Sequence, residues 1–113
     1  MSENIIKWEE FERVDLRVGT IVRAEAFPEA RKPAYKLWVD LGPLGVKQSS
    51  AQLTARYTPE SLIGTQVLAV TNLPHRQVGP FTSEVLVTGF VGDNSDVVLA
   101  RPEFHVANGT KLV

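Results

Sequence analysis

The chain reads as an all-β protein, a five-stranded OB-type Greek-key barrel with a short helix between strands three and four and an extension at each end. Three observations predict this. Short β-prone runs recur with turn residues between them. Helix signals gather in one place, between the third and fourth runs. The 113 residues contain no repeat, linker or low-complexity segment, so residues 1–113 make one domain. An SH3-like barrel is the competing architecture, and it would need no helix at that point.

Each element follows from local pattern. Ile5, Ile6, Trp8 and Phe11 stand at mixed spacing before the first strand. They predict one helical turn that lays Trp8 and Phe11 on a neighbouring surface, because so short a helix persists only when packed. In VDLRVGTIVRAEAF, residues 14–27, Leu16 and Val18 alternate with Asp15 and Arg17, giving the first strand. Gly19 interrupts it, which suggests a bulge or sharp bend. The polar PEARKPA, residues 28–34, connects to a period-two strand in which Tyr35, Leu37, Val39 and Leu41 alternate with Lys36, Trp38 and Asp40. GPLG, residues 42–45, reverses the chain into VKQSS, where Val46 and Gln48 point opposite to Lys47 and Ser49.

Thr58, Pro59 and Glu60 then supply an N-cap, a first helical proline and a first-turn acid, and Gly64 is a natural stop. TQVLAVTNL and SEVLVTGFV are strands four and five. The loop between them carries His75, Arg76, Gly79, Pro80 and Phe81. GDNSD is a turn, VVLA a brief strand, and RPEFHVANGTKLV an irregular tail with an apolar end. Asn108-Gly109-Thr110 matches a glycosylation acceptor but reads as a turn, since no secretion signal accompanies it.

Composition removes several function classes. A hydrophobic fraction of 43% and a charged fraction of 22% are those of an ordinary globular domain. Twelve basic residues against 13 acidic ones mean that any phosphate ligand must be met by cations sorted onto one face. Without cysteine there is no disulfide, thiolate metal site or Cys nucleophile. The acidic N-terminal stretch has no run long enough for a signal peptide or a membrane span, so a cytoplasmic protein without membrane insertion is expected. His75 and His105 form no His-x-x-x-His pair, and no carboxylate cluster has ligand spacing. With no P-loop, G-x-G-x-x-G or G-x-S-x-G either, neither a metal, a cofactor nor an enzymatic activity is expected.

A binding face has more support. OB barrels bind nucleic acid across one face, with cations on phosphates and aromatics on bases. Lys47, Gln48, Ser49, Ser50, Gln52 and Arg56 on one side, and His75, Arg76 and Gln77 on the other, can border one groove. The same residues also suit a plain solvated face. Trp38, out of phase with Leu37 and Val39, lies on the outer face, where it can cap the barrel, stack a base or enter a subunit interface. Phe81 suits either a barrel plug or a pocket lining. Apolar Ile5, Ile6, Trp8, Phe11, Phe104, Val106, Leu112 and Val113 in the extensions would be adhesive if left wet, and a symmetric dimer would bury them.

VDLRVGTI at 14–21, KQSSAQ at 47–52, YTPESLIG at 57–64 and NLPHRQVGPFTSEVLV at 72–87 together resemble the tRNA-binding OB-fold domain family. FPEARKPA, KQSSAQ and FTSEVLV resemble most its free-standing branch of bacterial secretion chaperones. The resemblance implies a non-enzymatic homodimer joined through its terminal extensions. Its expected partners are tRNA, recognised by shape, and unfolded precursor polypeptides, with the secretion motor as a further contact. Carried over by position, Lys47, Ser49, Ser50, Gln52, Arg76 and Ser83 would face the ligand groove; with Arg56 and His75, added from their chemistry, they are the tRNA-binding candidates, and Trp38, Leu73 and Phe81 are the candidates for an apolar peptide-binding pocket. Synthetase-appended relatives read Ser-x-Gly-Met where this chain has Ser83-Glu84-Val85-Leu86. Gln77 and Thr82 stand where cations would help. Both departures favour the alternative of a peptide-binding chaperone with weak or vestigial tRNA binding.

Overall fold

The computed structural model describes residues 4–113, so the start of the acidic N-terminal stretch lies outside the described residues. Five strands form the main sheet in the order β3-β2-β1-β4-β7: β1 Leu16–Ala26, β2 Tyr35–Asp40, β3 Val46–Ala51, β4 Gln66–Val70 and β7 Leu86–Val87. All its pairings are antiparallel, and it curls into a nearly closed OB barrel. Helix α1, Trp8–Glu12, precedes it, and α2, Pro59–Leu62, lies between β3 and β4. Two ribbons complete the molecule, β5 Arg76–Val78 with β6 Phe81–Ser83, and β8 Gly89–Val91 with β9 Val97–Leu99.

Alternation fills the barrel. Leu37 and Val39 on β2 have no exposed surface, and neither do Ile21, Leu41, Leu62 and Val67 around them. Helix α2 is capped as its sequence predicts: Thr58 Oγ1 accepts from Ser61 N at 3.1 Å, and Ser61 Oγ accepts from Thr58 N at 3.0 Å. So short a helix survives because Leu62 plugs the core. Gly64 ends it at φ +87°.

Two expectations are corrected. Gly19 neither interrupts β1 nor forms a bulge in it, and it pairs in register with Val67. A Cβ there would lie 2.5 Å from Val39 Cγ1 and 2.8 Å from Leu41 Cδ2, so close packing requires glycine. The register irregularity falls between Ile21 and Arg23 instead. The run SEVLVTGFV is likewise not one strand. It breaks at Glu84 and again at Thr88, because its parts serve three neighbours: β5, then β4, then β9.

The tail is tied down rather than loose. Gly109 N donates to Val18 O at 2.7 Å, Val18 N to Thr110 O at 3.0 Å, and Leu112 N to Leu16 O at 2.8 Å, so residues 109–112 line the free edge of early β1. Buried Gln66 fastens the approach, with its amide donating to Val106 O at 2.6 Å and accepting from Val106 N at 3.0 Å. At the start of β1, Asp15 takes hydrogen bonds from Arg17 Nε and the Thr71 hydroxyl. Arg17 also donates to Gly109 O at 2.8 Å. The Arg17 hydrogen bond holds the Asp15 carboxyl below the usual aspartate range; partial burial opposes this, and Thr71 adds to it.

Candidate nucleic-acid interface

The barrel closes where β3 meets the β6–β7 corner, and the seam uses side chains in place of a regular ladder. Gln48 O accepts from Glu84 N at 2.8 Å and from Val85 N at 3.2 Å. In return Gln48 N donates to Glu84 Oε1 at 2.9 Å, and Ser50 N to Ser83 Oγ at 3.1 Å. The chain turns at residues 84–85, so main-chain carbonyls cannot reach these two amides, and the Glu84 carboxylate and Ser83 hydroxyl do so instead.

Three shallow recesses run along this seam. The first, about 350 Å³, is bordered by Arg31 and Lys32 of the β1–β2 connection, Ser50, Gln52 and Arg76. Ser50 and Arg76 also border the second, about 120 Å³, with Leu73 and Glu84. Glu84 continues into the third, about 220 Å³, where it meets Lys47, His75, Asp15, Thr71 and the apolar Leu41, Leu44 and Val85. Arg31, Lys32, Arg76 and Lys47 therefore follow one continuous strip. None of the four joins an ion pair among the described residues. A chain of net charge −1 thus presents local positive charge, which is what attraction to phosphates depends on.

The predicted residues divide according to this geometry. Lys47, Ser50, Gln52, His75 and Arg76 border the strip. Lys47 and Ser49 pair in register with Val39 and Leu37, so both belong to the inward row, while Gln48 and Ser50 pair with Trp38 and Lys36 on the outer one. Lys47 sits near the barrel mouth and is half-exposed, whereas Ser49 is 1% exposed and its hydroxyl has no partner among the described residues. Ser83 is buried, with its hydroxyl engaged in the seam. Arg56 turns to the β8–β9 turn, where its guanidinium pairs with Asp96 at 2.6 Å and keeps that carboxyl below its usual range.

Of the apolar candidates, Trp38 and Phe81 meet edge to face at 5.7 Å between ring centroids, and Phe81 meets Phe27 at 5.5 Å. Phe81 is buried in that cluster, and the Arg23 guanidinium covers Trp38 at 4.2 Å from the ring centroid. Leu73 stands apart from the cluster, exposed beside the second recess. Sequence reasoning missed Arg31, Lys32 and the reach of Glu84. The available signal was two adjacent cations in the connection between the first two strands, a loop that borders the binding face of OB barrels.

A second surface lies at the termini. Trp8, Phe11, Val14, Leu16, Leu112 and Val113 line an apolar recess of about 280 Å³, and Trp8 and Phe11 stand 5.5 Å apart between ring centroids. Trp8 remains 62% exposed, so nothing among the described residues closes over it.

Residues 16–111 match the model of a putative tRNA-binding domain. The fold is similar to the crystal structure of chaperone CsaA from Bacillus anthracis, at 52% identity and TM-score 0.91 over 96% of this chain and 99% of that one. It is also similar to CsaA chaperone protein from Picrophilus torridus, at 40% identity and TM-score 0.90 over 96% and 100% of the two chains. A methionine–tRNA ligase of Methanococcoides burtonii is 36% identical over 96% of this chain, which spans 16% of that protein's length. Sequence match and barrel geometry agree: the chain belongs to the tRNA-binding domain family.

Proposed function

We propose that the chain is a non-enzymatic, cytoplasmic RNA-binding protein that takes tRNA along the strip from Arg31 to Lys47. The observation that carries this reading is the convergence of Arg31, Lys32, Arg76 and Lys47, none of them ion-paired among the described residues, on adjoining recesses. Ser50, Gln52 and His75 add hydrogen-bonding groups suited to ribose and phosphate. Two copies joined through the apolar recess of the termini would place two such strips on one particle. Exposed Ile5 and Ile6 extend the apolar surface that such a dimer would cover.

The second reading is a chaperone for unfolded precursor polypeptides delivered to the secretion motor, with tRNA binding weak. Its support is the similarity to two chaperone structures, together with an acid, Glu84, standing inside the basic strip. Gln77 and Thr82, hydrogen-bonded to each other at 2.7 Å, add no positive charge to the ribbon beside it.

Titrating labelled tRNA at rising salt, with an unfolded peptide as competitor and mass in solution measured alongside, tests both. Four phosphate contacts predict a log–log salt slope of about −3. The slope should shrink by roughly one for each of Arg31→Ala and Arg76→Ala. Salt-insensitive binding would refute the tRNA reading, and a monomer would refute the dimer. Displacement of tRNA by peptide would assign both ligands to one surface.

A further inference from the structure

Glu84 is one of two acids on the strip; the other, Asp15 of the third recess, is engaged by Arg17 and Thr71. Glu84 borders the second and third recesses, between Arg76 on one side and Lys47 and His75 on the other. A carboxylate there repels phosphate. Its Oε1 is fixed by Gln48 N at 2.9 Å, a task that a neutral glutamine carbonyl would perform without that repulsion. Its Oε2 has no partner among the described residues, and Glu84 joins no ion pair there. The group is therefore held by the main chain with one acceptor oxygen open, in a recess where Leu44 is the exposed apolar side chain and Asp15 and Thr71 stand on the lining as well.

We propose that Glu84 is a specificity-determining residue that accepts a hydrogen bond from the exocyclic amino group of an unstacked base, cytosine being the smallest that carries one. This rests on the RNA-binding reading above. A carboxylate accepts and does not donate, so it suits the cytosine N4 amine and rejects the O4 of uracil, which has the same shape and the opposite polarity. The recess of about 220 Å³ is below the scale of sites for drug-sized ligands, and suits one base laid against Leu44, the exposed apolar side chain of its lining. Lys47 and His75 line the same recess and are available to the flanking phosphates. Single-stranded recognition by splayed bases works in this way.

The test compares two short single-stranded RNAs on the full chain, an all-uridine heptamer and the same heptamer with one central cytidine, each competed against labelled tRNA at low salt. The wild type should prefer the cytidine strand by roughly tenfold. In Glu84→Gln the amide carbonyl keeps the Gln48 hydrogen bond, and its NH₂ takes the place of Oε2 as a donor, so the preference should reverse toward uridine. An unchanged melting temperature of this variant would show that the seam is intact. The wild-type comparison decides even if the variant unfolds. Equal competition by the two strands, or none from either while tRNA still binds, would overturn the role of Glu84 and leave the RNA-binding reading standing. Failure of tRNA itself to bind would remove both.

Discussion

Replacing Ser83 by alanine separates a seam residue from a ligand residue. The Ser83 hydroxyl accepts from Ser50 N at 3.1 Å, and Ser83 is 8% exposed. Its other contact, to Val85 O at 3.4 Å, is long and adds little. Alanine leaves the Ser50 amide without its acceptor, which costs about 1–3 kcal/mol where water is excluded. Ser50 is half-exposed, so water restores part of this and the lower half of that range, about 1–2 kcal/mol, is expected. For a domain of this size the melting midpoint should fall by about 3–10 °C. Thermal unfolding followed by circular dichroism reads that shift. Titration with tRNA well below both midpoints should find unchanged affinity. An unaltered midpoint combined with a large loss of tRNA affinity would refute the argument, because the hydroxyl would then belong to the ligand and not to the barrel.

Three further outcomes follow from the same geometry. Gly19→Ala should destabilise by about 1–3 kcal/mol, since its Cβ would overlap the fully buried Val39 and Leu41; an unchanged denaturant midpoint would show that the β1–β2 contact is looser than described. Ser49→Ala should leave stability equal or raise it by up to about 1 kcal/mol, because the lost hydroxyl has no partner among the described residues, and tRNA binding should not change. A lowered melting midpoint would mean that a buried water satisfies that hydroxyl. The depressed Asp15 carboxyl contributes stability that is complete above its unfolded value, about pH 4, and is lost as pH falls through the lower folded value. Asp15→Asn should therefore melt lower at pH 7 and lose less stability than the wild type on acidification; parallel pH profiles would remove Asp15 as the cause.

Patterns confined to a few residues were readable without coordinates. Alternation of Leu37 and Val39 with Trp38 gave β2 and its inner face, and Thr58-Pro59-Glu60 gave α2, because period and capping are properties of neighbouring residues. The turn at Asn108-Gly109-Thr110 was legible for the same reason. Gly19 misled because a glycine that avoids a distant side chain and one that makes a bulge look the same in sequence. The long fifth strand also failed, since a continuous β-prone run does not say how many partners it will pair with.

The candidate site was half legible. Residue chemistry pointed to Lys47, His75 and Arg76, but whether a cation is free depends on what lies opposite it in space. Arg56 looked equivalent to Arg76 until Asp96, brought up by the β8–β9 ribbon, paired with it. Arg31 and Lys32 joined the strip because the β1–β2 connection comes to lie beside β5, a long-range placement that strand register and barrel closure decide. Side-chain type and local period are written residue by residue. Which carboxylate meets which cation, and which serine closes the seam, is set by contacts between segments remote in the chain, and those exist once the barrel has closed.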